Sequence, residues 1–170
     1  MIREVLTIGD ERLLKISKPV ASSEFNTKEL FSLIEDMRDT MHERGGVGIA
    51  AVQIGVHKRI TLIEYDGSNP RYAQIGDCPL TVIINPQIEA VDNILCEYNE
   101  GCLSVPDMRG IVERPKHIRY KFYNQYGELI SGDDDGFFVR VMQHEIDHMD
   151  GILFPERVTD KSTLKATTLG

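Results

Sequence analysis

"SGDDDGFFVRVMQHEIDHMDG" (131–151) is the stretch on which the fold turns. Phe137, Val141, His144, Glu145 and His148 fall on one stripe of a 3.6-residue period, which predicts a helix. Asp133 to Asp135 suit its N-terminus, where an acidic cap meets unpaired N–H groups, and Gly151 suits the left-handed position just past its end. The three aspartates do not make a calcium loop, because the remaining ligands of such a loop and their spacing are missing. The stripe is mostly apolar, so both histidines are expected to face the interior.

Outward from this helix the chain reads as strands. "GGVGIAAVQIGV" (45–56), "RITLIEY" (59–65), "LTVIINPQIEAV" (80–91), "GIVERP" (110–115) and "HIRYKFYNQYGELI" (117–130) are rich in β-branched and aromatic residues, with Tyr126-Gly127 as a turn. A second helix is expected in "NTKELFSLIEDMRDTMHERGG" (26–46), with Leu30, Leu33, Ile34, Met37 and Met41 as its apolar face. Asn26 or Thr27 would cap it and Gly45-Gly46 would end it, leaving His42 in the last turn at the surface. His117, at a strand start, is likewise read as solvated. The fold class is therefore α+β, mostly antiparallel strands packed around a buried late helix that carries HExxH, in a single domain over 1–170.

Composition narrows the function. A net charge of −8 argues against binding a phosphate backbone, which takes clustered Lys and Arg, so no specific nucleic acid is expected. No run of about 18 apolar residues is present, so no membrane span is expected. The opening "MIREVLTIGDERLLK" lacks a signal-peptide core, and three cysteines (Cys78, Cys96, Cys102) without CxxC point to a reducing compartment. A cytoplasmic location follows as the expectation, with an organelle origin left open.

His144 and His148, four apart on a helix, can share one metal ion, and Glu145 between them sits where a general base belongs. Chance alone would produce HExxH in roughly one chain in two hundred of this length. In the protease pattern that continues this motif, a third histidine would stand at 154, and here Phe154 stands there. Glu156, just after Pro155, comes too soon for a ligand on a further helix. The third donor is therefore sought upstream, and Cys102 in "EGCLSVP" (100–106) is favoured over Cys96 and Cys78. Gly101 permits a close backbone approach there, and a thiolate suits a borderline-soft ion.

"GVGIAAVQ" (46–53), "EGCLS" (100–104) and "QHEIDH" (143–148) resemble, in order and spacing, the three signature motifs of the peptide deformylases. The resemblance extends from "GDERLL" (9–14) to "GILFPERV" (151–158). It implies hydrolysis of the N-formyl group from the formylmethionine of newly made polypeptides, with release of formate. The implied metal ligands are Cys102, His144 and His148, with Glu145 as acid and base. Gln53 and the backbone N–H of Leu103 would meet the formyl oxygen. Val47 and Gly48 would pair with the substrate as an added strand. Arg109 would lie near the peptide cleft, and Phe137 and Val141 would line the methionine pocket, with Arg140 near its wall. Glu100 would be a structural glutamate. The implied ion is Fe2+ in the cell, with Zn2+, Ni2+ or Co2+ able to replace it. The implied partners are N-formylmethionyl nascent peptides and, transiently, the ribosome, although the tail "TDKSTLKATTLG" (159–170) is poor in basic and apolar residues. Where the family's first motif commonly has proline before its glutamine, this chain has Val52. Two other readings compete: a peptidase acting on the peptide bond itself, and a binding protein without catalysis.

Overall fold

The computed structural model describes residues 1–68 and 75–166; part of the loop 66–77 and the last residues of the tail lie outside the described residues. Eight strands are present among these: β1 (Gly48–Ala50), β2 (Ile60–Tyr65), β3 (Cys78–Ala90), β4 (Leu95–Cys102), β5 (Val105–Pro115), β6 (Ile118–Tyr123), β7 (Leu129–Asp134) and β8 (Lys165–Ala166). They form two antiparallel sheets, one ordered β1-β2-β3-β6-β7 and the other β4-β5-β8. The helices α1 (Lys28–Glu43) and α2 (Phe137–Met149) pack against opposite faces of the larger sheet.

Burial on both faces explains the unbroken apolar runs of β2 and β3. Ile60, Leu62, Val82 and Ile84 pack with Leu30, Ile34, Met37 and Met41 of α1. Their sequence neighbours Ile63 and Ile83 point the other way, into a cluster with Val141, Met142, Ile146 and Met149 of α2. A strand that must be apolar on both sides loses the alternation that marks a half-exposed one. The smaller sheet covers the far side of α2, so every residue from Val139 to Met149 is buried. Thr27 caps α1, its hydroxyl accepting from the Leu30 N–H at 3.2 Å. Gly151 follows α2 at φ 75°, where a Cβ would come within 2.4 Å of the Leu14 carbonyl oxygen.

Three local expectations are corrected. Residues 131–135 do not open the late helix: Leu129–Asp134 is β7, hydrogen-bonded along β6 from Tyr123↔Leu129 to Ile118↔Asp134. The turn at Gly127, φ 83°, sets that register, and the ladder outweighs the capping preference of the aspartates. Gly136 takes the N-cap position without a side-chain cap, and Asp133 instead meets His117 Nε2 at 2.7 Å. "GGVGIAAVQIGV" is a strand only over Gly48–Ala50. A 3-10 turn over Ala51–Ile54 follows, closed by Gly55 at φ 85° and by Gln53 Oε1 accepting from the Ala50 N–H at 2.8 Å. Finally, β4 has no counterpart among the expected strands. Its inward residues are Cys96, Tyr98, Glu100 and Cys102, so the apolar alternation that would reveal a strand is missing.

Candidate metal centre and active site

Two elements deliver the potential ligands. Helix α2 presents His144 and His148 one turn apart, their rings 5.1 Å between centroids. The end of β4 brings Cys102, whose Sγ lies 3.2 Å from His148 Nε2. One ligand atom each from Cys102, His144 and His148 lies within 4.8 Å of the others, the one such group of His, Cys, Asp and Glu among the described residues. Cys96 and Cys78 are elsewhere: Cys96 Sγ is 3.2 Å from Arg140 Nη2, and Cys78 Sγ is 3.7 Å from Thr81 Oγ1. Phe154, at the position of the absent third histidine, is buried and stacks on the His144 ring at 6.2 Å and 27°.

The electrostatics suit a cation at this point. Glu100 accepts from His144 Nδ1 at 2.9 Å, which turns the other nitrogen of that ring, Nε2, toward Cys102. Burial alone would lower the pKa of His144, but Cys102 and Glu100 outweigh it and raise it well above the usual value. Burial and the neighbouring His144 push His148 well below its ordinary value, toward the neutral imidazole that ligates metals. A thiol and two imidazoles, one oriented through a carboxylate, fit a borderline divalent ion and leave a fourth position for water or substrate. Burial pushes Glu145 up to about 7, and its Oε2 is buried with no hydrogen-bond partner among the described residues. That is the range in which a carboxyl can both take and return a proton near neutrality.

The strand alongside is shaped for close approach. A Cβ on Gly48 would lie 2.8 Å from Val141 Cγ1 and 2.9 Å from Glu145 Oε1, so only glycine lets β1 press against the base. A Cβ on Gly46 would lie 2.9 Å from the Leu103 side chain, which brings the first motif against the second. On its outer side β1 is the edge of the five-stranded sheet. Gln53 is buried beneath, its Nε2 donating to Ser104 Oγ at 3.0 Å and lying 3.7 Å from Cys102 Sγ. Phe137 opens α2 between the rings of Tyr65 (5.1 Å) and Tyr98 (5.6 Å), and Val141 is buried one turn on.

Comparison with known proteins settles the family. The polypeptide deformylase family model matches residues 2–163. The chain belongs to this family. Peptide deformylase 2 of Ralstonia nicotianae is 48% identical over 160 residues, covering 94% of this chain and 89% of that protein. A class I type b peptide deformylase from Acinetobacter baumannii, solved with Met-Ala-Ser bound, superposes with a TM-score of 0.88 at 40% identity, covering 93% of this chain and 99% of the other. A peptide deformylase from Legionella pneumophila superposes with a TM-score of 0.80 at 38% identity, covering 94% and 87%. As a deformylase, this chain is a hydrolase that removes the N-formyl group from nascent polypeptides. No helix among its described residues is long and apolar enough to cross a membrane.

Arg109 and Arg140 both stand close to the deformylase site, and two further residues beside it were missed. Arg109 stands on β5 with its guanidinium over Gly101, Nη2 donating to the Asn99 carbonyl at 2.9 Å. Arg140 is buried, donating to Glu100 Oε2 and the Cys96 carbonyl at 2.7 Å each, with its guanidinium 5.8 Å from the centre of the Tyr98 ring. Arg114 and Asp147, neither of them singled out in the sequence, are buried beside the ligands, with Arg114 Nη1 donating to Asp147 Oδ2 at 2.8 Å. Arg114 shares an inward parity with Val112 along β5, and a charged residue at an inward strand position needs a buried partner. That parity is the signal that could have found it.

Proposed function

We propose that Cys102, His144 and His148 hold one divalent ion and that Glu145 moves the proton in deformylation of N-formylmethionyl peptides. The observation that carries the proposal is the meeting of that ligand triad with a buried, neutral-range Glu145 beside the open edge of β1. When bound, the ion supplies positive charge that acidifies water toward a pKa of about 7 and polarises the formyl carbonyl.

The chain's own residues do the rest. Gly48 stands on the outer edge of β1, and Val47 just before it accepts from the Glu64 N–H of the β2 side at 2.9 Å; the peptide adds along this edge as a strand and is thereby aligned. Glu145 takes a proton from the attacking water and returns it to the departing amine. The Gln53 amide carries two protons; Ser104 takes one, and the other is on the side of Cys102, where it and the Leu103 N–H meet the oxygen of the formyl group as charge develops. Loss of one such donor raises the barrier by about 3–4 kcal/mol. Phe137 and Val141 wall the apolar slot for the methionine side chain, whose thioether packs favourably on aromatic edges. Arg109 stays near the outer part of the peptide path.

The physiological ion is Fe2+, with Zn2+, Ni2+ or Co2+ as substitutes that the same donor set accepts. The catalytic unit is a single domain over 1–170, it works in the cytoplasm, and its contact with the ribosome is transient. Lys165 and Ala166 of the tail pair with Arg109 and Met108 of β5 as β8. Metal-loaded protein should release formate from formyl-Met-Ala-Ser and leave acetyl-Met-Ala-Ser intact, and metal analysis after purification without air should find iron. Cleavage of the Met-Ala bond instead would replace this reading with a peptidase.

A further inference from the structure

Arg114 bridges the two elements that deliver the metal ligands. Its Nε and Nη2 donate to the two oxygens of Glu100 at 2.7 and 3.0 Å, and its Nη1 donates to Asp147 Oδ2 at 2.8 Å. Glu100 stands two residues before Cys102 on β4, and Asp147 directly precedes His148 on α2. The side chains of Arg114, Glu100 and Asp147 are 6%, 4% and 10% exposed, so solvent screens the bridge little.

The backbone alone does not fix where Cys102 lies. Regular pairing of β4 with β5 runs from Leu95↔Pro115 to Gly101↔Arg109, and then the register breaks, with Cys102 opposite Val105. The position of the thiol therefore depends on what anchors the strand just before it, and that anchor is Glu100. Arg140 and His144 also donate to Glu100, so strand and helix stay docked without Arg114. What Arg114 adds is a rigid fork that fixes the Glu100 and Asp147 carboxylates relative to each other. A lysine carries the same charge but cannot span both carboxylates with three directed bonds.

We propose that Arg114 is a positioning residue that sets the reach between Cys102 and the two histidines, and through it the metal affinity of the site. The inference rests on the triad being the metal site, and cobalt binding separates the two questions. Wild-type protein, Arg114→Lys and Arg114→Met are loaded with Co2+. Affinity is then measured by chelator competition well below each unfolding midpoint, together with the cobalt–thiolate absorption band. Both variants should bind cobalt about ten- to a hundred-fold more weakly, as loss of an outer-shell partner does, with a weakened thiolate band. Variants that melt earlier but keep wild-type affinity and band would reduce Arg114 to a structural ion pair, and full rescue by lysine would overturn the fork. If neither variant folds, Asp147→Ala decides, because it removes the helix end of the bridge and keeps the Arg114–Glu100 bonds. Arg157→Met is its control, because Arg157 also donates to both Asp147 oxygens, at 3.1 and 3.0 Å. Cobalt binding weaker in Asp147→Ala than in Arg157→Met supports the proposal, and equal affinity of the two overturns it. Wild-type protein that takes up no cobalt would overturn the metal site itself.

Discussion

Replacing Gly48 by alanine tests the site through one methyl group. The Cβ would come within 2.8 Å of Val141 Cγ1 and 2.9 Å of Glu145 Oε1, both closer than real Cβ contacts allow. Neither neighbour yields easily: Val141 is packed into the core cluster of α2 and Glu145 is buried. Overpacking of this kind costs about 1–3 kcal/mol. At about 2–4 °C per kcal/mol for a chain of this size, the midpoint should fall by roughly 2–12 °C. The larger effect is on catalysis. Relief requires the carboxylate to move by several tenths of an ångström or more, and a misplacement approaching 1 Å is worth about a hundred-fold in rate. Metal content should stay at the wild-type level, since His144 and His148 are not touched. Gly46→Ala is the comparison, because its Cβ meets only the far end of the flexible Leu103 side chain, and a much smaller loss is expected. Thermal unfolding, metal analysis and kcat/KM for formyl-Met-Ala-Ser check all three points. Gly48→Ala with kcat/KM within two-fold of wild type would refute the packing argument.

Cys102→Ser should lower metal affinity, while Cys96→Ser, which loses only a contact to Arg140, should leave it unchanged; metal content after dialysis against a weak chelator distinguishes them. Glu100→Gln removes the one carboxylate that receives Arg114, Arg140 and His144 together, and should cost about 3–5 kcal/mol in denaturant unfolding because buried cations are left unpaired. A loss below about 1 kcal/mol would show that the remaining Asp147 suffices. Gly151→Ala should destabilise the fold while sparing the chemistry of whatever protein stays folded, since the added Cβ meets the Leu14 carbonyl at a residue with φ 75°. Chemical unfolding and the kcat of the folded fraction check it.

The fold was legible where burial imposes a period. The stripe Leu30, Ile34, Met37, Met41 and the stripe Val141, His144, Glu145, His148 each mark a helix because one face must meet a sheet. Strands β2 and β3 showed themselves by continuous apolar runs. Strand β4 stayed hidden because its inward face carries the site's own polar residues in place of aliphatic ones. The aspartates at 133–135 misled because local capping preference yields to pairing with β6, which no local window contains. In the site, His144, Glu145 and His148 were readable from helical spacing alone. Cys102 required the missing histidine at 154 and the motif resemblance. Arg114 and Asp147 meet only through the docking of β5 on α2, so their partnership appears in space and not along the chain.

The central claim is that Glu145 moves the proton beside an ion held by Cys102, His144 and His148. It is tested most directly by formate release from formyl-Met-Ala-Ser, comparing wild type with Glu145→Gln at equal metal content. The amide is close in size to the carboxylate and reaches the same place, so the ion should stay. Formate release should fall by roughly a hundred- to ten-thousand-fold, the scale of a lost general acid–base. Near-wild-type release by the metal-replete variant would contradict the account and require another proton carrier at this site.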